Sequence, residues 1–236
     1  MTKYQINVQL PPETVENLKK KKMFLVAFKN ISSGDSSKPS HEFTSIRPRI
    51  WFSKENSSLD TDNLISWNDH YSMFVVANDD EKNKSTIEIN TGEVANVDSL
   101  NGHISLSIDP NRNGLQDTYS VINPTDIEHV VTGLSQEVND SKKPYPIHAI
   151  VLSKNQPHSF DKPKESILLG FSTKNVPGAE LTETLKGYLI EFPLATNDII
   201  DSNVVQGMLL SIHYCFFFSN HLLLYVFSCN SVIYQR

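Results

Sequence analysis

The feature that most constrains the fold of this chain is a set of short runs in which apolar and polar residues alternate. The clearest are Tyr4–Leu10 and His103–Ile108, where every second residue is apolar. This two-residue period is typical of a strand with one buried face. No run of 10–15 residues with helical period separates the strand candidates, which argues against a fold of alternating strands and helices. The short strands are typical of a sandwich or a barrel, and the sequence predicts an all-β fold, a mostly antiparallel β-sandwich with a few short helical turns.

The stretch Arg49–Val76 contains both tryptophans and two dense apolar runs. Part of it has a counterpart later in the chain. Phe52–Asn56 is similar to Phe171–Asn175, and Tyr71–Val75 is similar to Tyr188–Phe192. Two similar strand–loop–strand halves would suit a β-sandwich, and the alternative is a chance similarity between strands.

Three local patterns predict turns or short helices. Val15 and Leu18 are spaced for a brief helical turn after two prolines. Thr125 and Glu128 have the spacing of a capping box, which predicts that a short helix starts there. Asn113–Gly114 is a pair that tolerates positive φ and predicts a tight turn.

The chain divides by composition into a predicted β-sandwich domain, residues 1–206, and an uncharged hydrophobic tail, residues 207–236. No charged residue occurs from Gly207 to Gln235. The tail has three interpretations: a membrane anchor, since about 20 apolar residues can span a bilayer, a pair of buried strands, or an extension that is not native coding sequence. A membrane partner is expected only through 207–229.

Composition narrows the classes of function and location. The net charge of −6 and the pI near 5.7 provide no basic excess, so a nucleic-acid partner is not expected. The first residues lack the apolar core of a secretory signal, which favours a cytoplasmic protein, with a C-terminal membrane anchor as the alternative. Both cysteines, Cys215 and Cys229, lie in the tail, so residues 1–206 have no disulfide and no thiolate ligand or nucleophile.

One loop-like segment has oxygen side chains in a pattern that suits calcium. The candidate ligands are Asp109, Asn111, Asn113 and Asp117. They surround Gly114 as in the start of an EF-hand loop, but the twelfth position is Ser120 instead of a bidentate Glu, and Arg112 adds repulsion. The alternative is a polar Asn-Gly hairpin loop that binds no ion.

A second cluster combines aromatic and polar side chains: Trp51, Trp67, Asp69, His70 and Tyr71. Such a set can bind a sugar, because a ring stacks on an aromatic face while polar groups bond its hydroxyls. The alternative is that the aromatic residues enter the core and the polar ones face solvent.

The function predicted first is a soluble non-enzymatic binding module for a glycan, a protein or a lipid surface. No catalytic elbow, phosphate-binding glycine loop or dinucleotide fingerprint occurs, and no cofactor other than Ca²⁺ is expected. One alternative is a tail-anchored membrane protein with a cytosolic β domain. The other is a hydrolase whose site combines Asp69, His70 and a loop partner.

Overall fold

A computed structural model describes residues 3–29, 49–77, 83–139, 141, 143–163, 166–173, 176–178, 187–191, 204–215 and 224–235. Strands make up 59% of the structure, in mostly antiparallel sheets, so the predicted all-β class is confirmed. The helices of the described residues are α1 (Pro12–Lys20) and the 3-10 helix η1 (Asn56–Ser58). Val15 and Leu18 are buried on one side of α1, as their spacing predicts.

The strands, numbered in chain order, form four sheets. The first sheet has the order β17 (Leu224–Gln235), β16 (Val204–Cys215), β1 (Lys3–Gln9) and β4 (Asp62–Asn68). The second has the order β11 (Tyr145–Pro146), β10 (His129–Gln136), β5 (Tyr71–Ala77) and β6 (Lys84–Ile89), and β12 (Ile150–Ser153) also pairs with β10. The third has the order β13 (Pro157–Asp161), β9 (Thr118–Ile122), β7 (Glu93–Leu100) and β8 (His103–Asn113). The fourth has the order β15 (Gly187–Glu191), β14 (Ser166–Ser172), β2 (Phe24–Lys29) and β3 (Phe52–Lys54).

Side chains from all four sheets meet in one hydrophobic core. Ile6, Leu25, Met73 and Val121 represent the four sheets in this core, and each is at most 1% exposed. Burying an apolar side chain of this size stabilises a fold by about 1.5–3 kcal/mol relative to leaving it exposed. One core shared by several sheets is the arrangement expected of a β-sandwich.

The alternating runs have the burial that their period predicts. In β1 the residues Tyr4, Ile6 and Val8 are buried, and their polar neighbours are half-buried. In β8 the residues Ile104 and Leu106 are buried, Ser105 between them is exposed, and Ile108 is half-buried. The period of two thus identified the inner face of both strands.

The helix predicted at Thr125 and Glu128 is wrong. The side-chain oxygen of Asn123 accepts hydrogen bonds from the Thr125 backbone N–H at 3.2 Å and from its hydroxyl at 2.6 Å. The Asn123 amide group in turn donates to the Ile127 carbonyl at 2.9 Å. These bonds close a turn around one buried asparagine, and such side-chain bonds compete with a helix for the same backbone groups.

The positive-φ turn is also not where Asn113–Gly114 predicts it. Asn113 is the last residue of β8, and the left-handed residue of this segment is Asp117, with φ of 61°. A positive-φ pair does join β7 to β8, but it is Asn101–Gly102, with φ values of 52° and 79°. This pair allows a tight hairpin because both central residues of a type I′ turn need positive φ.

The two similar parts of the sequence, Phe52–Val75 and Phe171–Phe192, have similar surroundings only in their first strands. Both β3 and β14 pair with β2, one on each side. The strands that follow differ, because β5 lies within the second sheet and β15 pairs with β14 in the fourth. Residues 174, 175 and 192 of the later segments lie outside the described residues.

The predicted boundary between residues 206 and 207 falls inside β16. This strand runs parallel to β1, and β17 pairs with it antiparallel. Neither helix of the described part of the chain is long and apolar enough to cross a membrane. The domain division and the three interpretations of 207–236 stay predictions.

Candidate functional site

The two tryptophans of the predicted aromatic cluster lie in the core. Trp51 is 0% and Trp67 is 3% exposed, and their rings meet edge to face with centroids 5.4 Å apart. Tyr4 stacks on Trp67 at 5.5 Å. The Trp51 indole N–H donates to the Gln136 carbonyl at 3.2 Å, which satisfies the polar atom of a buried ring.

A lysine of the protein itself occupies the faces of these rings. The Lys29 ammonium lies 4.9 Å from the Trp51 ring centroid and 4.4 Å from that of Trp67. Lys29 is 6% exposed, so the attraction between cation and ring acts in a largely water-free environment. The rings are therefore packed against protein groups, which is the arrangement expected of core residues.

The other members of the cluster are separated by the alternation of β5 and the loop before it. Tyr71 is buried against Tyr119, with ring centroids 5.5 Å apart. His70 is on the surface, with its Nε2 3.3 Å from a carboxylate oxygen of Glu88, and Asp69 is half-buried. The structure thus divides the five residues between the core and the surface.

The candidate calcium ligands lie in a strand and a turn. Asp109, Asn111 and Asn113 belong to β8, and Asp117 follows in the turn. The Asp109 carboxylate accepts hydrogen bonds from the Asn111 backbone N–H at 2.9 Å and from the Asn96 amide at 3.2 Å. These two bonds, and then the charge of Arg112, hold the pKa of Asp109 below its usual value.

Among the described residues no group of three or more His, Cys, Asp or Glu side chains could hold a metal ion. Calcium prefers six to eight oxygen ligands. A Ca²⁺ site at Asp109–Asp117 would need amide and backbone oxygens in addition to the carboxylates of Asp109 and Asp117, and it stays a prediction.

A cleft of about 330 Å³ lies on the second sheet, and we call it the cation-lined cleft. Its floor consists of Phe74 and Val76 of β5 and Val131 of β10. Segments 143–146 and 176–178 line it together with Arg49 and Lys84. Among the described lining residues of this cleft there is neither Asp69 nor His70, so the hydrolase interpretation finds no support in it and stays a prediction.

The floor exists because β5 buries both of its faces. Tyr71, Met73, Val75 and Ala77 point into the main core, so Phe74 points to the other side of the sheet. In the ladder between β5 and β10, Phe74 is paired with Gly133 and Val76 with Val131. This second face is apolar, and the cleft segments cover it.

One wall is fastened through Gly178. Its N–H donates to the Ile50 carbonyl at 2.7 Å, and its carbonyl accepts a bond from Arg49 Nη1 at 2.8 Å. Gly178 has φ of 87°, a conformation that side chains other than glycine rarely adopt. The bond to Gly178 holds Arg49 beside the segment 176–178, which forms this wall.

The segment from Tyr145 to Ile147, which forms another wall, is fastened to β10. Tyr145 and Pro146 of β11 pair with Gln136 and Ser135, and the Ile147 N–H donates to the Leu134 carbonyl at 2.9 Å. The chain passes so close to β10 that a Cβ added to Gly133 would lie 1.9 Å from the His148 carbonyl oxygen. The approach of this wall therefore requires a glycine at position 133.

Cations line the described part of the cleft. The charged side chains among its described lining residues are Arg49, Lys84 and Lys143, all cations. The Lys84 ammonium lies 5.2 Å from the Phe74 ring centroid, at the floor. Cations that line a concave site attract anions. Arg49 and Lys84 also interact with other groups of the protein.

Two histidines lie behind the β11 wall. His148 is 3% exposed, and its Nδ1 has no hydrogen-bond partner among the described residues. Both rings contact Phe160 edge to face. Burial, followed by the charges of His158 and Arg49, lowers the pKa of His148 to about 4, and burial lowers the pKa of His158.

None of the cleft residues was predicted from the sequence. They come from β5, β6, β10, β11 and three connecting segments that are far apart in the chain. The only local signal was the proline-rich run 144–146, which reads as an ordinary loop. Tertiary contact alone brings the three cations together.

Comparisons with known proteins identify no relative of this chain. The scan against protein-family models finds no match, and neither do the searches of curated proteins and of solved structures.

Proposed function

We propose that this protein is a non-enzymatic binding module and that the cation-lined cleft binds an organic anion. The observation that carries the proposal is the concave shape of this site together with the charged side chains of its described lining, Arg49, Lys84 and Lys143. A concave site with a few convergent polar groups and an apolar lining is the usual form of a small-molecule site.

The walls support a binding role because they are held in place before any ligand arrives. Gly178 is bonded to Arg49 and Ile50, and segment 145–147 is bonded to β10. A site that needs little ordering keeps more of its interaction energy as affinity. Charge-assisted hydrogen bonds from lysine and arginine to a carboxylate or phosphate are also stronger than neutral ones.

Inorganic phosphate is a direct probe of the proposal. At constant ionic strength, phosphate should raise the melting temperature more than chloride does, because a ligand that binds only the folded state stabilises it. The Lys143→Gln substitution should reduce this rise, and since Lys143 is exposed the fold should not change.

Lys19→Gln is the matched control, because Lys19 is an exposed lysine on α1, outside the cleft. It should leave the phosphate effect as it is in the original protein. Equal melting temperatures in phosphate and chloride, or an equal loss in the two variants, would contradict the proposal.

A further inference from the structure

We infer that Asn101 is a site of covalent modification, at which the side-chain amide is converted to a carboxylate without an enzyme. The inference follows from a difference between two identical pairs of residues. Asn101–Gly102 lies exposed at the tip of the β7–β8 hairpin, whereas Asn113–Gly114 is held by the residues around it. This inference does not rest on the proposed function.

The reaction needs only the two residues and water. The Gly102 backbone nitrogen attacks the side-chain amide carbon of Asn101, a bond forms between these two atoms, and ammonia leaves. The pair is then closed into a five-membered imide, which one water molecule opens. Opening at the side-chain carbonyl gives aspartate. Opening at the main-chain carbonyl gives isoaspartate, in which the chain runs through the former side chain. No oxidant or reductant takes part.

Two conditions decide whether a folded Asn-Gly pair reacts. The glycine nitrogen must lose its proton, and the peptide between the two residues must rotate so that this nitrogen reaches the side-chain carbon. An N–H that donates a hydrogen bond to a carbonyl must first break that bond. A glycine in the second position favours the attack, because it has no Cβ and its backbone adopts many conformations.

Asn101–Gly102 meets both conditions. Both residues are exposed, and a Cβ added to Gly102 would have no neighbour within 4 Å. Within the described part of the chain the Gly102 N–H donates no hydrogen bond to the backbone. An exposed loop tip with few contacts also opens at a low cost in free energy.

The Asn83 side chain restrains this tip but does not hold the peptide that must rotate. Its amide group donates to the Gly102 carbonyl at 3.0 Å, and its oxygen accepts a bond from the Ile104 N–H at 3.0 Å. The peptide between Asn101 and Gly102 contains the Asn101 carbonyl and the Gly102 N–H. Neither of the two Asn83 bonds involves these groups.

Asn113–Gly114 meets neither condition. The Gly114 N–H donates to the Gly92 carbonyl at 2.8 Å. A Cβ added to Gly114 would lie 2.7 Å from the Ser120 hydroxyl oxygen and 3.3 Å from the Glu93 carbonyl oxygen, so the peptide has little room to rotate. Asn113 is also paired with Glu93 in the ladder between β7 and β8. We therefore expect the same two residues to react slowly here.

The products change the charge and the geometry of the tip. Aspartate and isoaspartate each add one negative charge. Isoaspartate also adds one carbon to the main chain of the turn, which does not fit the register in which Leu100 pairs with His103. The isoaspartate form should therefore weaken the bonds by which Asn83 holds this tip.

Incubation of the full chain in mildly alkaline buffer, followed by proteolysis and mass spectrometry of the peptides, measures both sites in one sample. We expect Asn101 to be converted at least about ten times faster than Asn113, because tenfold corresponds to only about 1.4 kcal/mol of additional free energy for opening the segment at Gly114. Equal rates in the folded protein, or faster conversion of Asn113, would overturn the inference.

The unfolded chain is the matched control. In guanidinium chloride both pairs lose their different surroundings, so they should react at similar rates. A preference for Asn101 that persists in the unfolded chain would show that the neighbouring residues in the sequence, and not the fold, cause it.

Asn101→Gly removes the reacting amide and keeps a residue that readily adopts positive φ, so the hairpin should be retained. Ion-exchange chromatography of the incubated protein should then lack the acidic form that the original protein develops first. An acidic form that appears at the same rate in this variant would contradict the assignment to Asn101.

Discussion

At the scale of the residue, the two tryptophans show how the same side chain can suggest a binding face and yet serve the core. Trp51 and Trp67 are among the most buried large residues of the protein, and the Lys29 ammonium packs on both rings. Rings in such contact contribute to stability through burial and through the cation–ring attraction. Removing either ring should therefore lower the free energy of unfolding of the whole protein.

Trp67→Ala should lower the free energy of unfolding by about 3–5 kcal/mol, the usual cost of truncating a buried tryptophan. The substitution removes the ring on which Tyr4 stacks and over which Lys29 lies. Denaturant unfolding, followed by circular dichroism, measures the change. Leu64→Ala is the control on the same strand, because Leu64 is 46% exposed, and it should cost far less. A tryptophan that serves a ligand and not the core would give two equally small losses.

At the scale of the element, β10 organises the cleft. It pairs with β5 along one edge, and with β12 and then β11 along the other. The segment between β11 and β12 passes close to Gly133. The hydrogen bonds of Ile147 and His148 to the Leu134 carbonyl hold this passage. The position of one wall of the cleft therefore depends on the absence of a side chain at 133.

Gly133→Ala should destabilise the protein by about 3 kcal/mol, because a methyl group cannot fit 1.9 Å from a backbone oxygen without moving the backbone. Thermal unfolding measures the effect, and the loss of phosphate binding would report the displaced wall. Gly102→Asn is a suitable control. It lies in a turn with φ of 79° and open space, where asparagine is tolerated better than other side chains. A Gly133→Ala variant as stable as the Gly102→Asn variant would show that the wall can move away at little cost.

At the scale of the whole molecule, the buried histidines make stability depend on pH. The pKa of His148 is lowered to about 4 in the folded protein from 6.5 in a model peptide, chiefly by burial. Below pH 6.5 the unfolded chain binds a proton that the folded protein excludes. Stability is therefore greatest above pH 6.5 and falls as the pH is lowered toward 4, where the folded protein also becomes protonated.

The expected loss from His148 between these two pH values is about 3 kcal/mol, since one pKa unit corresponds to about 1.4 kcal/mol. Denaturant midpoints at pH 7, 5.5 and 4 measure it. His148→Met removes the titrating group, so its stability should decline less over this range, with His158 responsible for part of the remainder. His103→Gln, at an exposed histidine, should decline as the original protein does. Identical declines in all three proteins would refute the role of His148.

The helix that the sequence placed at Thr125 and Glu128 illustrates why local patterns mislead. The residues have the spacing of a capping box. The Asn123 side chain, however, bonds to the Thr125 N–H and to the Ile127 carbonyl, and these bonds close a turn where a helix would begin. The Asn-Gly pairs show the same limit. Asn101–Gly102 and Asn113–Gly114 consist of the same two residues. The pairing of β7 with β8 places the tight turn at Asn101–Gly102.

By itself, the sequence determined the class of the fold and the inner faces of the clearest strands. The reason is that the period of a strand is a property of its own residues, as Tyr4, Ile6 and Val8 show. Tertiary structure alone decided the order of the sheets and the cleft. Arg49, Lys84, Lys143 and Val176 have no local pattern in common, and they come together because Gly133 lets one wall approach β10 and Gly178 fastens the other to Arg49. Contacts between distant segments leave no period in the chain.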